Sequence, residues 1–164
     1  MEISLDETLF RERRAMHYIE LKQSVESQMQ ISLCNGCDAC WLRCSEGIHA
    51  DRQEWEILNN YIVRLNPTEK SDLERVLAQD KSVDLGDDVN VKMCRYFDMD
   101  SHRCSVYPVR PLVCRLLGHV EWMPCPIEKI PIIVPTSEAL VLMQAYSERE
   151  RKTFEGWEIE LDAG

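Results

Sequence analysis

Four cysteines within eleven residues are the densest chemical feature of the sequence. The stretch CNGCDACWLRC, residues 34–44, has the spacing C-x2-C-x2-C-x3-C. A C-x2-C turn brings two thiolates to one metal ion or cluster, and a further cysteine three residues on extends the same turn. The same run occurs in bacterial ferredoxins, where a proline usually follows and the fourth cysteine binds a different cluster. Here Ser45 follows and the run is not repeated, so the spacing favours iron–sulfur ligands but not a ferredoxin fold.

A second set of cysteines follows at wider intervals of nine, nine and ten intervening residues. These intervals are too long for one turn, so the fold must bring the thiols together. Two arrangements fit the spacing. Each region can form its own four-cysteine site, or the first three cysteines can share a site with one later cysteine, most simply Cys125. We predict that all eight cysteines are metal ligands: Cys34, Cys37, Cys40, Cys44, Cys94, Cys104, Cys114 and Cys125.

Arginines accompany the cysteines. Four-thiolate zinc sites and iron–sulfur clusters are anionic, and nearby guanidinium groups can donate hydrogen bonds to the sulfurs and offset the charge. We predict that Arg110 and Arg115 contact the cofactor. His102 and His119 lie in the same region and are interpreted as supporting or surface groups. Five of the 13 arginines belong to this set: Arg43, Arg95, Arg103, Arg110 and Arg115.

Composition narrows the class of protein. The chain has 164 residues, of which 45% are hydrophobic and 29% charged, with a formal net charge of -10. The acidic balance argues against extensive contact with nucleic acid, which requires a basic face. The N-terminus does not resemble a secretory signal, and no segment approaches the roughly 20 apolar residues of a membrane span. We expect a cytoplasmic protein without a membrane partner, and the reduced thiols of that compartment favour metal over disulfides.

The hydrophobic pattern predicts a mainly α fold, a small single domain of about four helices with irregular cysteine-rich metal-binding loops. An N-terminal helix is expected at 6–29, opened by a capping box at Ser4, and a C-terminal helix at 137–152, capped by Thr136 or Ser137. Asp51 and Asn66 cap the two intervening helices, with Pro67 at the first position of the second. Residues 80–90 are predicted to be a loop, residues 98–102 a hairpin turn, and the tail a strand or disordered. The metal-binding module covers residues 34–126.

The motif RPLVCR, together with the CxxCxxC run, resembles the YkgJ-type cysteine-cluster family, a candidate zinc- or iron-chelating domain. The family pattern is a CxxCxxCC-like cluster, then a C-x-x-aromatic stretch, then C-x-I/V-Y-x-x-R-P-x-x-C-R. Here these are residues 34–40, 94–97 and 104–115. Trp41 stands where the family commonly has its paired cysteine, and Cys44 is a candidate to replace that thiol. The resemblance extends to flagellin lysine N-methylases, but no glycine-rich nucleotide loop supports an S-adenosylmethionine site.

Three functions follow, in order of support. The first is an iron–sulfur protein, most simply with [4Fe–4S] chemistry, in a redox or enzyme-accessory role. The second is a structural zinc module for protein interaction, in which metal binding supplies folding energy. The third, implied by the resemblance, is a protein methyltransferase similar to flagellin lysine N-methylase. A protein partner is expected in the first two cases.

Overall fold

The structure, a computed structural model, describes residues 5–34 and 37–162, with side chains from 16 to 160 apart from the same gap. Seven α-helices lie within these residues: α1 Leu5–Gln28, α2 Ile31–Cys34, α3 Arg52–Arg64, α4 Pro67–Leu77, α5 Leu112–Arg115, α6 Thr136–Ser147 and α7 Phe154–Asp162. Two 3-10 turns cover Trp41–Arg43 and Tyr107–Val109. The capping box at Ser4 and the glycine at position 36 lie outside the described residues.

Eight short strands form four two-stranded antiparallel sheets in the described part of the chain. Strand β1 (His49–Asp51) pairs with β8 (Arg151–Thr153), and β2 (Ser82–Asp84) with β3 (Asn90–Lys92). Strand β4 (Phe97–Asp98) pairs with β5 (Arg103–Cys104), and β6 (His119–Val120) with β7 (Met123–Pro124).

The prediction of a mainly α fold with about four helices was wrong, because the described residues form a mixed α/β fold with seven helices and four small sheets. Its strands are two or three residues long, which is too short for the alternation of apolar and polar residues that identifies a strand. The expected loop at 80–90 contains the hairpin β2–β3. Its tip places Gly86, Asp87 and Asp88 at positive φ, a conformation that glycine and aspartate tolerate better than most residues.

Helix boundaries follow the capping residues where the capping geometry forms. Asp51 and Asn66 each close a complete capping box, on α3 and α4, as the sequence predicts. Helix α6 is not capped by a side chain; its N-cap is Pro135, and the Thr136 hydroxyl instead donates to Glu121 at 2.7 Å. Helix α6 ends at Ser147. Strand β8 and helix α7 contain the residues that were expected to form the end of this helix and the C-terminal tail.

Two apolar cores hold these elements. The first packs α1 against α5 and α6 through Tyr18, Val25, Leu112, Leu116, Leu142 and Tyr146, among others. The second packs α3 and α4 against α7 through Trp55, Leu58, Leu73, Tyr96, Phe154 and Trp157, among others. Within the part of the chain that the structure describes, none of the helices has the length and apolar character needed to cross a bilayer.

A buried carboxylate joins the two cores. Glu54, at the start of α3, is 4% exposed and accepts the Tyr146 hydroxyl and the Leu112 amide, both at 2.6 Å. Burial and the nearby Glu54 carboxylate raise the pKa of Tyr146, so its hydroxyl remains a donor. Glu54 also belongs to the capping box of Asp51, and Asp51 accepts Arg149 Nε at 2.5 Å. One acidic group therefore fixes α3, α5 and α6 relative to one another.

Candidate metal centre

All eight cysteines line a single cavity of about 290 Å³. They arrive from separate segments: the run at 34–44, the turn that leads into β4, strand β5, helix α5 and the residue after β7. Every one is a free thiol; Cys125 is buried and the others are partly exposed. The fold therefore gathers thiols that lie up to 91 residues apart in the sequence, since 125 − 34 = 91.

Short reversals of the backbone turn the first four cysteines toward this cavity. The Cys37 amide donates to the Cys34 carbonyl at 3.0 Å, and the Trp41 amide donates to the Asp38 carbonyl at the same distance. The 3-10 turn then closes with the Cys44 amide on the Trp41 carbonyl, also at 3.0 Å. Turns that repeat every three residues keep successive cysteines on one side of the loop.

Backbone pairing brings the next two cysteines to the end of that run. The Cys94 amide donates to the Cys44 carbonyl at 2.7 Å, beside the bridge between Ser45 and Met93. Cys94 then opens a turn closed by the Phe97 amide at 2.9 Å, and Phe97 is paired with Cys104 across the β4–β5 hairpin. The hairpin expected around residues 98–102 is confirmed, and it is the element that carries Cys104.

The last two cysteines are positioned by the first core. Cys114 lies on α5 between the fully buried Leu112 and Leu116, and the first amide of this helix is held by Glu54. Cys125 follows the β6–β7 hairpin and lies against Gly118, which has φ +87. A Cβ at Gly118 would meet the Cys125 Cβ only at an ordinary contact distance of 3.7 Å, so it is the positive φ, which glycine adopts readily, that suits this position beside Cys125.

Backbone amides face three of the sulfur atoms. Burial raises the pKa of Cys94 and brings that of Cys104 to about 12, while amide hydrogen bonds from Tyr96 and Val106, respectively, act in the opposite direction. At Cys125 burial also acts to raise the pKa, but the amides of Ile127, Ile130 and Lys129 outweigh it and lower the value. Amide hydrogen bonds to sulfur stabilise a thiolate, which is the form that binds metal.

Arg110 is the cation most closely associated with the thiols. Its guanidinium carbon lies 3.6 Å from the centre of the Tyr107 ring, and Nε donates to the Tyr107 carbonyl at 3.1 Å. Burial raises the pKa of five of the cysteines, and the Arg110 charge acts in the opposite direction on each of them: Cys34, Cys40, Cys44, Cys104 and Cys114. Its stacked, hydrogen-bonded side chain is thus a fixed positive charge beside the cavity.

The other cysteine-flanking arginines have different surroundings. Arg43 and Arg103 line the cavity, and Arg43 donates to the Pro124 carbonyl beside Cys125. Arg115 pairs with Glu26 of α1 at 2.7 Å, and Arg95 pairs with Glu158 of α7 at 2.9 Å. The contact between Arg115 and a cofactor stays a prediction, whereas Arg110 is at the cavity.

Sequence reasoning missed an aromatic group at the cavity. Trp41 stacks on the His102 ring with centroids 4.9 Å apart and planes inclined by 8°, and Phe97 lies 6.4 Å from Trp41. All three side chains line the cavity, as does Lys129. The available signal was the position of Trp41, which occupies the place of a cysteine in the family pattern. His119 is buried, with Nδ1 3.1 Å from the Leu117 carbonyl.

The thiols surround the cavity rather than meeting at one point. Over residues 16–34 and 37–160, no three cysteine, histidine or carboxylate side chains are already grouped as ligands of a single metal ion.

A framework of short hairpins and helices that directs eight thiols into one cavity defines a cysteine-cluster protein. The chain belongs to the CxxCxxCC family, "Putative zinc- or iron-chelating domain", whose model matches residues 33–140. This match confirms the family resemblance and gives metal chelation as the function of the domain. The matched segment extends beyond Cys125 into α6. No curated protein and no solved structure is significantly similar to the chain.

The β4–β5 hairpin predicts a specific acid sensitivity. Burial acts to raise the pKa of Asp98, but hydrogen bonds from Arg75, Gln79 and Ser101 outweigh it and hold the pKa well below its usual range. The stability contributed by Asp98 is therefore present above about pH 4, the ordinary carboxyl pKa, and is lost progressively as the pH falls from there through the lower pKa of the folded state. We expect Asp98→Asn to lower the free energy of unfolding at pH 7 by roughly 1–2 kcal/mol.

Urea unfolding between pH 7 and pH 2 measures this effect. The variant should lose less stability than the wild type below about pH 4, because its side chain no longer titrates. Asp72→Asn, at an exposed position of α4, is the matched control and should follow the wild-type curve. Parallel pH profiles for wild type and Asp98→Asn would contradict the assignment.

Proposed function

We propose that this protein is an iron–sulfur protein whose eight cysteines are the cluster ligands, with [4Fe–4S] chemistry in a redox or enzyme-accessory role. The observation that carries the proposal is the convergence of all eight thiols on one cavity of about 290 Å³. A single zinc ion takes only four of these thiolates, with Zn–S bonds of about 2.3 Å. A polynuclear cluster occupies more of the space between the thiolates than a zinc ion does.

The surroundings of the thiols support the same choice. Backbone amides directed at the sulfurs of Cys94, Cys104 and Cys125 stabilise anionic ligands. Hydrogen bonds to cluster sulfurs and net charge are the means by which proteins set the reduction potential of a cluster. Arg110 adds a fixed positive charge. A bound cluster would supply one-electron redox chemistry here, and the chain's own residues would hold it and set its potential.

A protein partner in the cytoplasm fits this role. Arg43, Arg110 and Lys129 line the cavity, where Asp38 is the one carboxylate among the described lining residues, and Lys129 is exposed. They give the cavity a local positive charge on a chain whose formal net charge is -10. An acidic surface on a redox partner would be attracted to this face and guided to the cofactor.

Anaerobic purification tests the proposal. We expect a brown protein that contains iron and acid-labile sulfide in equal amounts, with visible absorbance that decreases on addition of dithionite. Ser45→Ala, next to the last cysteine of the run, is a control that should retain both. A colourless protein with tightly held zinc and no sulfide, from anaerobic as well as aerobic preparations, would replace the proposal with a structural zinc module.

A further inference from the structure

We infer that the eight thiols form two separate four-cysteine sites in the cavity. The first site is Cys34, Cys37, Cys40 and Cys125, and the second site is Cys44, Cys94, Cys104 and Cys114. The inference rests on the proposed role of these thiols as metal ligands. It chooses between the two arrangements that the spacing of the cysteines leaves open.

The first site is assembled by one run of turns and one distant residue. Cys34, Cys37 and Cys40 follow one another through the reversals closed by the amides of Cys37 and Trp41. Arg43 then donates its guanidinium to the carbonyl of Pro124, the residue immediately before Cys125. This bond ties the residue before Cys125 to the 3-10 turn that directly follows Cys40.

The second site is assembled around a backbone junction. Cys94 and Cys44 are joined directly by the 2.7 Å hydrogen bond between amide and carbonyl. Cys104 is brought to Cys94 by the Cys94–Phe97 turn and the pairing of Phe97 with Cys104. The chain continues from Cys104 through the 3-10 turn Tyr107–Val109 to α5 and Cys114. Cys44 therefore belongs with the later cysteines, although it is the fourth member of the early run.

Electrostatic neighbours divide in the same way. The thiols whose charge acts on Cys34 are Cys40, Cys125 and Cys37. Those whose charge acts on Cys114 are Cys104, Cys94 and Cys44. Cys94 acts more strongly on Cys44 than Cys40 does.

Arg110 and Cys44 are the points at which the two sites approach each other. The Arg110 charge acts on Cys34 and Cys40 of the first site and on Cys44, Cys104 and Cys114 of the second. Cys44 follows Cys40 in the chain yet serves the other site. The fourth cysteine of the two-cluster ferredoxin run likewise binds the other cluster.

Metal content of cysteine variants tests the division. We expect the wild type to hold about eight iron and eight sulfide per chain, four of each for a [4Fe–4S] cluster. The pair Cys40→Ala and Cys125→Ala, within the first site, should retain about half, as should Cys44→Ala and Cys104→Ala, within the second. The pair Cys40→Ala and Cys44→Ala takes one ligand from each site and should lose nearly all metal.

The pairs distinguish the division from its alternative, in which Cys44 joins Cys34, Cys37 and Cys40. In that case Cys40→Ala with Cys44→Ala would keep half the metal, and Cys44→Ala with Cys104→Ala would lose all of it, which would overturn the inference. If the metal is zinc, the same fractions apply to about two ions per chain. The proposed function would then fail while the division holds.

The wild type provides a second test that does not depend on variants folding. Two reduced paramagnetic clusters in one cavity should broaden and split each other's electron paramagnetic resonance signal at full reduction. A stoichiometry of one cluster per chain with a simple isolated signal would overturn the inference even if every variant were unstable.

Discussion

Glu54→Ala is expected to lower the free energy of unfolding by roughly 3–5 kcal/mol. The carboxylate accepts the Tyr146 hydroxyl, the Leu112 amide and, at 3.2 Å, the Asp51 amide. Its removal leaves buried donors without partners, each worth about 1–3 kcal/mol. Because the Leu112 amide begins α5, the same change should also loosen the helix that carries Cys114 and reduce metal retention.

Thermal and urea unfolding at matched metal loading measure this effect. Glu56→Ala on the same helix is the control, since Glu56 is exposed and pairs only at the surface with Arg52, so a change within about 0.5 kcal/mol is expected. Tyr146→Phe keeps the ring and removes one donor, and should cost about 1–2 kcal/mol. A Glu54→Ala protein as stable as Glu56→Ala would show that the carboxylate does not join the two cores.

Arg110→Gln is expected to make the reduction potential of the proposed iron–sulfur cluster more negative. Reduction adds an electron to an anionic site, and a fixed guanidinium favours the reduced form. We expect a shift on the order of 50 mV, which corresponds to a roughly tenfold change in a one-electron equilibrium. Arg110→Lys keeps the charge without the stacked guanidinium on Tyr107 and should give an intermediate value.

Redox titration followed by absorbance measures the potential. Arg52→Gln makes the same change in charge at an exposed position whose partner is Glu56, and should leave the potential unchanged. An equal shift of the potential in Arg52→Gln would show that the effect comes from the net charge of the protein and not from the position of Arg110. If the reduction potential does not shift in Arg110→Gln, the Arg110 charge does not act on the cluster.

Elements set by local chemistry could be predicted from the sequence. Asp51 and Asn66 satisfy amides only a few residues away, so their capping boxes are visible in the residue order itself. The hairpin after Phe97 is equally local. By contrast, α7 lies where a strand or disorder was expected. Its Phe154 and Trp157 are buried against α3, a long-range packing that no local pattern shows.

The candidate site shows the same difference between local features, which the sequence predicts, and long-range contacts, which it does not. The density of cysteines predicted the thiols that line the cavity, but the proposed grouping of these thiols depends on contacts such as Cys94 with Cys44 and Arg43 with Pro124. Adjacency to a cysteine in the sequence does not by itself fix the surroundings of an arginine. Successive residues on a helix point about 100° apart, so Arg115 beside Cys114 pairs with Glu26 on α1 instead.

The order of the ligands along the chain nests one cross-link inside another. With the division proposed above, the second site closes the segment 44–114, and this segment lies inside the one that the first site closes, 40–125. Alone, the outer closure spans 85 residues (125 − 40), but once the inner site has formed the free path is 15 residues, (44 − 40) + (125 − 114). The free-energy cost of closing the outer loop, which is entropic, is then lower by about 1.5 kcal/mol. Filling one site thus prepares the other, and the two metal centres constrain the unfolded chain as a pair of nested disulfides would.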